Sequence, residues 1–66
     1  MKMGTKYEVV FKQNKSIVLV LTDFLDWTSA MEAIKAQRDG GLVFDTAEIY
    51  EGRGKSRYLV NTERNG

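Results

Sequence analysis

The stretch 16-SIVLVLTDFLDWTSAMEAIKAQRDGG-41 decides the fold, because its apolar pattern changes period partway along. Residues 16-SIVLVLT-22 are apolar on both faces and rich in β-branched side chains, which reads as a central strand covered on one side by a helix. Its other face, Val18 and Val20 or the opposite set, is left to meet a partner. Beyond Asp23 the spacing is helical. Trp27, Ala30, Met31 and Ile34 fall on one side, flanked by Ala33 and Gln37. Glu32, Lys35, Arg38 and Asp39 lie largely outside that face. Ala30, Ala33 and Ala36 are good helix formers. Asp23 and Asp26 can each accept backbone N–H bonds at a helix start, and Ser29 with Glu32 offers a capping box, so the start is open among them. Arg38 suits the negative end of the helix dipole, and Gly40 or Gly41 can take a left-handed C-cap.

Working outward from this stretch, 6-KYEVVFK-12 alternates as a half-buried strand. Tyr7, Val9 and Phe11 share one face, and Lys6, Glu8, Val10 and Lys12 the other. Gln13-Asn14-Lys15 is a polar break in which Asn tolerates left-handed geometry, so the first two strands form a hairpin. On the far side, 42-LVFDTAEIYE-51 reads either as one strand with an irregularity at Asp45-Thr46 or as a connector followed by a strand. Gly52-Arg53-Gly54 bends the chain, and 55-KSRYLVN-61 forms the last strand, with Tyr58 and Val60 opposite Leu59. Residues 1–4 and 62–66 are expected to fray.

The expected fold is therefore a two-layer α+β domain of order β-β-α-β-β: a four-stranded, mainly antiparallel sheet with one helix on one face. The 66 residues allow one small domain and no second. One helix leaves the other sheet face bare, and Tyr7 or Val10, Val18, Val20, Tyr50 and Tyr58 are its candidates, depending on register. An apolar and aromatic sheet face of that kind is a binding or dimer surface.

Composition narrows the chemistry. The chain has no cysteine and no histidine, so disulfides, thiolate nucleophiles and serine–histidine triads are ruled out within one chain. No cofactor or metal is expected, and no catalytic residue is assigned. The formal net charge is +1, far from that of a nucleic-acid compactor. The opening MKMGTK resembles a signal-peptide start, but no apolar stretch follows at once. The run 17-IVLVL-21 is far short of the roughly 18 apolar residues of a membrane span. A cytoplasmic location and no membrane role are expected, and the sequon Asn14-Lys15-Ser16 is read as accidental.

Gly54-Lys55-Ser56 repeats the end of a Walker A phosphate loop. The motif needs a first glycine where this chain has Ile49, and a helix where 57-RYLVN-61 has a strand pattern. Nucleotide hydrolysis is not expected. The carboxylate pairs Asp23/Asp26 and Asp45/Glu48 match no metal or acid–base spacing. Helix capping explains the first pair, and cross-sheet pairing of Glu48 with Lys55 or Arg57 accounts for Glu48.

What remains points to binding. The candidate protein-binding residues are Trp27, Tyr50, Tyr58, Arg53, Lys55 and Arg57, with another protein or a second copy as the partner. The alternative is a nucleic-acid-binding accessory domain. In that reading Lys12 and Lys15 join Arg53, Lys55 and Arg57 if the two hairpin tips are adjacent, and Tyr50 and Tyr58 stack on bases.

Overall fold

The structure, a computed structural model, describes residues 6–52 and 54–65. The expectations for residues 1–4, Arg53 and Gly66 lie outside the described residues. The elements are β1 (Tyr7–Gln13), β2 (Ser16–Phe24), α1 (Trp27–Asp39), β3 (Thr46–Glu51), a 3₁₀ turn (Gly54–Ser56) and β4 (Tyr58–Arg64). They form a small two-layer α+β fold with a four-stranded antiparallel sheet, ordered β2-β1-β3-β4, and one packed helix.

Strand order corrects one expectation. β1 pairs with both β2 and β3, so β1 and β3 are central and β2 is an edge strand. The tight turn at Asn14 and Lys15, both at positive φ, lays β2 along one side of β1. The helix then carries the chain across to the other side of β1, where β3 pairs. β2 reads as central because both its faces are apolar, yet only one of them is used. Leu19 and Leu21 pack against the core, while Ile17, Val18 and Val20 are exposed.

The core lies between the helix and one sheet face. Val9 and Phe11 of β1, Ala47 and Ile49 of β3, Ala30 and Ile34 of α1, and Phe44 of the connector are all buried. Phe11 and Phe44 meet edge to face, centroids 5.0 Å apart and ring planes at 83°, an arrangement favoured by the aromatic quadrupole. Period-two alternation places Tyr7 on the same face, where it meets Trp27 edge-on at 5.8 Å.

The helix starts at the second of the three candidate caps. Asp26 has extended backbone, φ −147°, and its side chain accepts the Ser29 N–H at 2.7 Å. Asp23 caps nothing: it lies in β2 at φ +70° and pairs with Lys6 at 3.6 Å. At the far end Gly40 is right-handed, and Gly41, at φ +96°, is the left-handed residue. The Ser29 bond favours ionised Asp26 and lowers its pKa. A depressed carboxyl contributes stability that is full above its unfolded pKa and fades as pH falls through its folded value. Asp26→Ala is thus expected to lower the melting temperature by a few degrees at neutral pH, with Asp26→Ser recovering most of it. The gap between wild type and Asp26→Ala should narrow in acid. Thermal unfolding followed by circular dichroism across the acid range checks this; a gap unchanged with pH would refute it.

In the second half of the chain the connector reading of 42–51 holds: Leu42–Asp45 is a connector, and β3 begins at Thr46. Two boundaries of the last strand differ from expectation. Lys55 and Ser56, read as strand, belong to the 3₁₀ turn, so β4 begins at Tyr58. Thr62, Glu63 and Arg64, expected to fray, continue the β3–β4 ladder. Asn65 closes it: its backbone N–H donates to Asp45 O at 2.9 Å and its side chain to Phe44 O at 3.0 Å. Asp45 in turn accepts the Asn14 N–H on its carboxylate and donates its own N–H to Lys12 O, each at 2.7 Å.

Candidate interaction surfaces

The sheet face away from the helix is built from alternate residues of each strand. Register aligns Glu8 with Tyr50 and Leu59, Val10 with Val20, Glu48 and Thr62, and Lys12 with Ile17, Thr46 and Arg64. The middle of this face is polar, against the expectation of a bare apolar surface. Arg57 reaches Glu8 at 2.7 Å, and its guanidinium stacks 4.3 Å above the Tyr50 ring. The Tyr50 hydroxyl donates to Glu48 at 2.9 Å, and Glu48 also pairs with Lys12 at 3.1 Å. These groups form a lattice across the two central strands and β4. Glu48 meets Lys12 rather than Lys55 or Arg57, because Lys12 shares its face on the neighbouring strand while Lys55 sits in the turn.

The lattice moves proton affinities in the expected directions. The hydrogen bond to Glu48, with partial burial, pushes the Tyr50 hydroxyl above the usual phenol range. The bond to Glu8 likewise raises Arg57 above its ordinary value. Val10, in the middle of this face, is buried.

The tyrosines expected to act together do not. Tyr50 lies on the open face, under Arg57. Tyr58 pairs with Glu51, which pairs with Tyr7, and so belongs to the helix side of the sheet. The charge of Glu51 raises the Tyr58 pKa, as does a hydrogen bond to Glu51. A one-residue register shift between Ile49 and Tyr50 leaves Val60 as an extra residue in β4 and turns Tyr58 to the opposite face.

The two hairpin tips are also apart. Lys12 pairs with Thr46 at one end of β3, and Tyr7 with Glu51 at the other. The Asn14–Lys15 turn and the Gly52–Arg57 bend therefore lie at opposite ends of the sheet, so the two tips do not form one basic patch; Lys12 and Arg57 are linked through Glu48 and Tyr50 instead. Arg53 lies outside the described residues.

Trp27 stands at the first turn of α1, partly exposed, at one end of a groove between the helix and β4. The groove, about 430 Å³, is lined by Trp27, Thr28, Met31, Glu32, Ile34, Lys35, Arg38 and Glu63. Its rim carries both signs of charge.

Sequence reasoning undervalues the outer edge of β2. Here Ile17, Val18 and Val20 are 60%, 44% and 41% exposed. Ser16–Thr22 contains no charged residue, although edge strands are ordinarily guarded by charge. The signal is the uncharged run itself, which in the sequence alone reads as burial.

Among the described residues no group of three or more acidic side chains converges to hold a metal, and no helix is long and apolar enough to cross a membrane. Comparison with family models, curated proteins and solved structures finds no match to this chain.

Proposed function

We propose that this chain is a small non-enzymatic protein-binding module, of adaptor or inhibitor type, that engages its partner along the outer edge of β2. The observation that carries the reading is an edge strand with an uncharged run, Ser16–Thr22, and three exposed aliphatic side chains. Such a strand offers unpaired backbone N–H and C=O groups for β-strand addition, and its side chains supply apolar area. A cytoplasmic setting is part of the proposal, in keeping with a fold that uses no cysteine. A nucleic-acid partner draws less support: Arg57 and Lys12 are engaged with carboxylates, and Tyr50 lies beneath a guanidinium.

A photo-cross-linking residue placed at Ile17 or Val20 in the native host tests the proposal. Covalent adducts of protein mass are expected from both positions and not from Ala36, exposed on α1 away from the groove. Absence of adducts at the β2 positions, or equal capture from Ala36, would sink it.

A further inference from the structure

We infer that the partner of β2 is a second copy of this chain, paired antiparallel about Leu19 to make one continuous eight-stranded sheet. This inference rests on the protein-binding reading of β2 and gives it an occupant.

The argument starts from the ends of the strand. The uncharged run Ser16–Thr22 is bounded by Lys15 on one side and Asp23 on the other. Both bounding residues have φ of +70°: Lys15 ends the turn before β2, and Asp23 interrupts the extended backbone one residue before the strand ends at Phe24. Lys15 and Asp23 stand equally far from Leu19. A two-fold axis through Leu19, normal to the sheet, therefore sets Lys15 of each copy against Asp23 of the other. Both charges are available. Lys15 is exposed at the turn, and the Asp23 side chain keeps 75% of its surface despite its long contact with Lys6.

Neighbouring registers lose this match. Centred on Val20, Asp23 would face Ile17 and Lys15 would face Leu25. Centred on Val18, Lys15 would face Leu21 and Asp23 would face Gln13. Opposite charges at directly facing positions of an antiparallel pair are favourable, and their ends select a register that the uniform aliphatic run cannot select alone.

The side chains agree with the same axis. Val18 of one copy lies opposite Val20 of the other, and Leu19 opposite Leu19. Leu19 packs against the core on the helix side, so both helices lie on one side of the joined sheet. On the other side the exposed Val18 and Val20 of both copies come together and leave water. The register shifts in β2 fall at Val18 and at Thr22–Asp23. Leu19–Leu21, between them, pairs regularly with β1, and the axis sets it against Ile17–Leu19 of the other copy, so the irregularity at Val18 lies inside the joined ladder. A C₂ contact of this kind is closed, so pairing stops at two copies.

Analytical ultracentrifugation of the full chain from about 1 µM to about 1 mM tests the inference, a range that spans weak to moderate self-association. A concentration-dependent monomer–dimer equilibrium is expected. Val20→Lys, at an exposed position, should weaken the dimer by about 30-fold while the amide NMR spectrum stays folded. Adding Val18→Glu should restore affinity to within about 5-fold of wild type, because the carboxylate introduced in one copy then faces the ammonium introduced in the other. The native chain has no cysteine, so V18C and V20C each carry one thiol. Their mixture should form the disulfide heterodimer faster than either variant forms a homodimer.

A wild-type chain still monomeric at the highest concentration would overturn the inference. So would a Val20→Lys dimer as tight as wild type, a Val18→Glu/Val20→Lys protein as weak as the single variant, or no preference for the mixed disulfide. If the chain is monomeric but cross-links from Val20 to a different protein, the self-pairing fails and the protein-binding reading stands. If β2 cross-links to nothing, both fail.

Discussion

Replacing Phe11 by alanine is expected to leave most of the chain unfolded at 25 °C. Phe11 is fully buried on the helix side of β1, a central strand, and its ring meets Phe44 edge to face. Truncating a buried phenylalanine costs about 3–5 kcal/mol, from lost burial plus the cavity left behind. A chain of this length has total stability of about 3–10 kcal/mol, with small single-core domains at the low end. The loss thus matches most of what is available. Relaxation cannot recover it, because α1 contributes only Ala30 and Ile34 as fully buried residues and no second core exists among the described residues. Phe11→Leu keeps most of the volume and should remain folded, about 1–1.5 kcal/mol below wild type. Urea unfolding followed by the fluorescence of Trp27, the sole tryptophan, distinguishes the outcomes. A Phe11→Ala protein with a midpoint close to that of wild type would show that this contact is not central to the core.

The second large effect is expected at Gly52. Its φ is +111°, outside the ordinary range of L side chains, and an added Cβ would lie 3.0 Å from Arg57 Cα and 3.1 Å from Ser56 O. Both obstacles are backbone, so neither can swing aside. Gly52→Ala must either shift the 3₁₀ turn or change φ and disturb the Gly52 N–H bond to Lys6 O, now 2.9 Å. Backbone strain of this kind costs about 1–3 kcal/mol, and the contact adds to it, giving about 2–4 kcal/mol in all. Gly41 provides the control. It too has positive φ, +96°, but a Cβ there meets nothing within 4 Å. Gly41→Ala should therefore cost only the conformational part, about 1–2 kcal/mol. Chemical denaturation of the two variants side by side measures the crowding by difference. Equal losses would show that crowding at the bend contributes nothing.

The two hairpins and the intervening helix were legible because each rests on local periodicity. Tyr7, Val9 and Phe11 alternate with Lys6, Glu8, Val10 and Lys12, and Trp27, Ala30, Met31 and Ile34 recur at helical spacing. Strand order was not legible, since nothing local says on which side of β1 each neighbour docks. The candidate surface suffered most from register. Without the extra residue at Val60, Tyr58 would share the face of Tyr50; with it, the two part. A single inserted position inverts every assignment beyond it, and no composition marks where it falls. The lattice of Lys12, Glu48, Tyr50, Arg57 and Glu8 was hidden for a related reason. Its members come from three strands and meet only once pairing is fixed. The candidates Lys55 and Arg57 read as neighbours on a strand, whereas the compact turn after Gly54 removes Lys55 from it.

The junction at Asp45 bears on the order of events when the chain folds. Its carboxylate holds the Asn14 amide, 31 positions away, and its carbonyl holds Asn65 near the end of β4. Each hairpin can zip from its own turn, and the Asn65 bond extends the second of them, but the Asn14 bond joins one hairpin to the other across the whole helical segment. Loop-closure entropy makes contacts of such separation late arrivals. The Asn14–Asp45 bond nevertheless spans fewer positions than any β1–β3 pair from Lys12–Thr46 to Tyr7–Glu51, so its loop-closure cost is the smallest among the links between the two hairpins. Asp45 thus works as a latch drawn where the hairpins first dock, from which the central ladder can close.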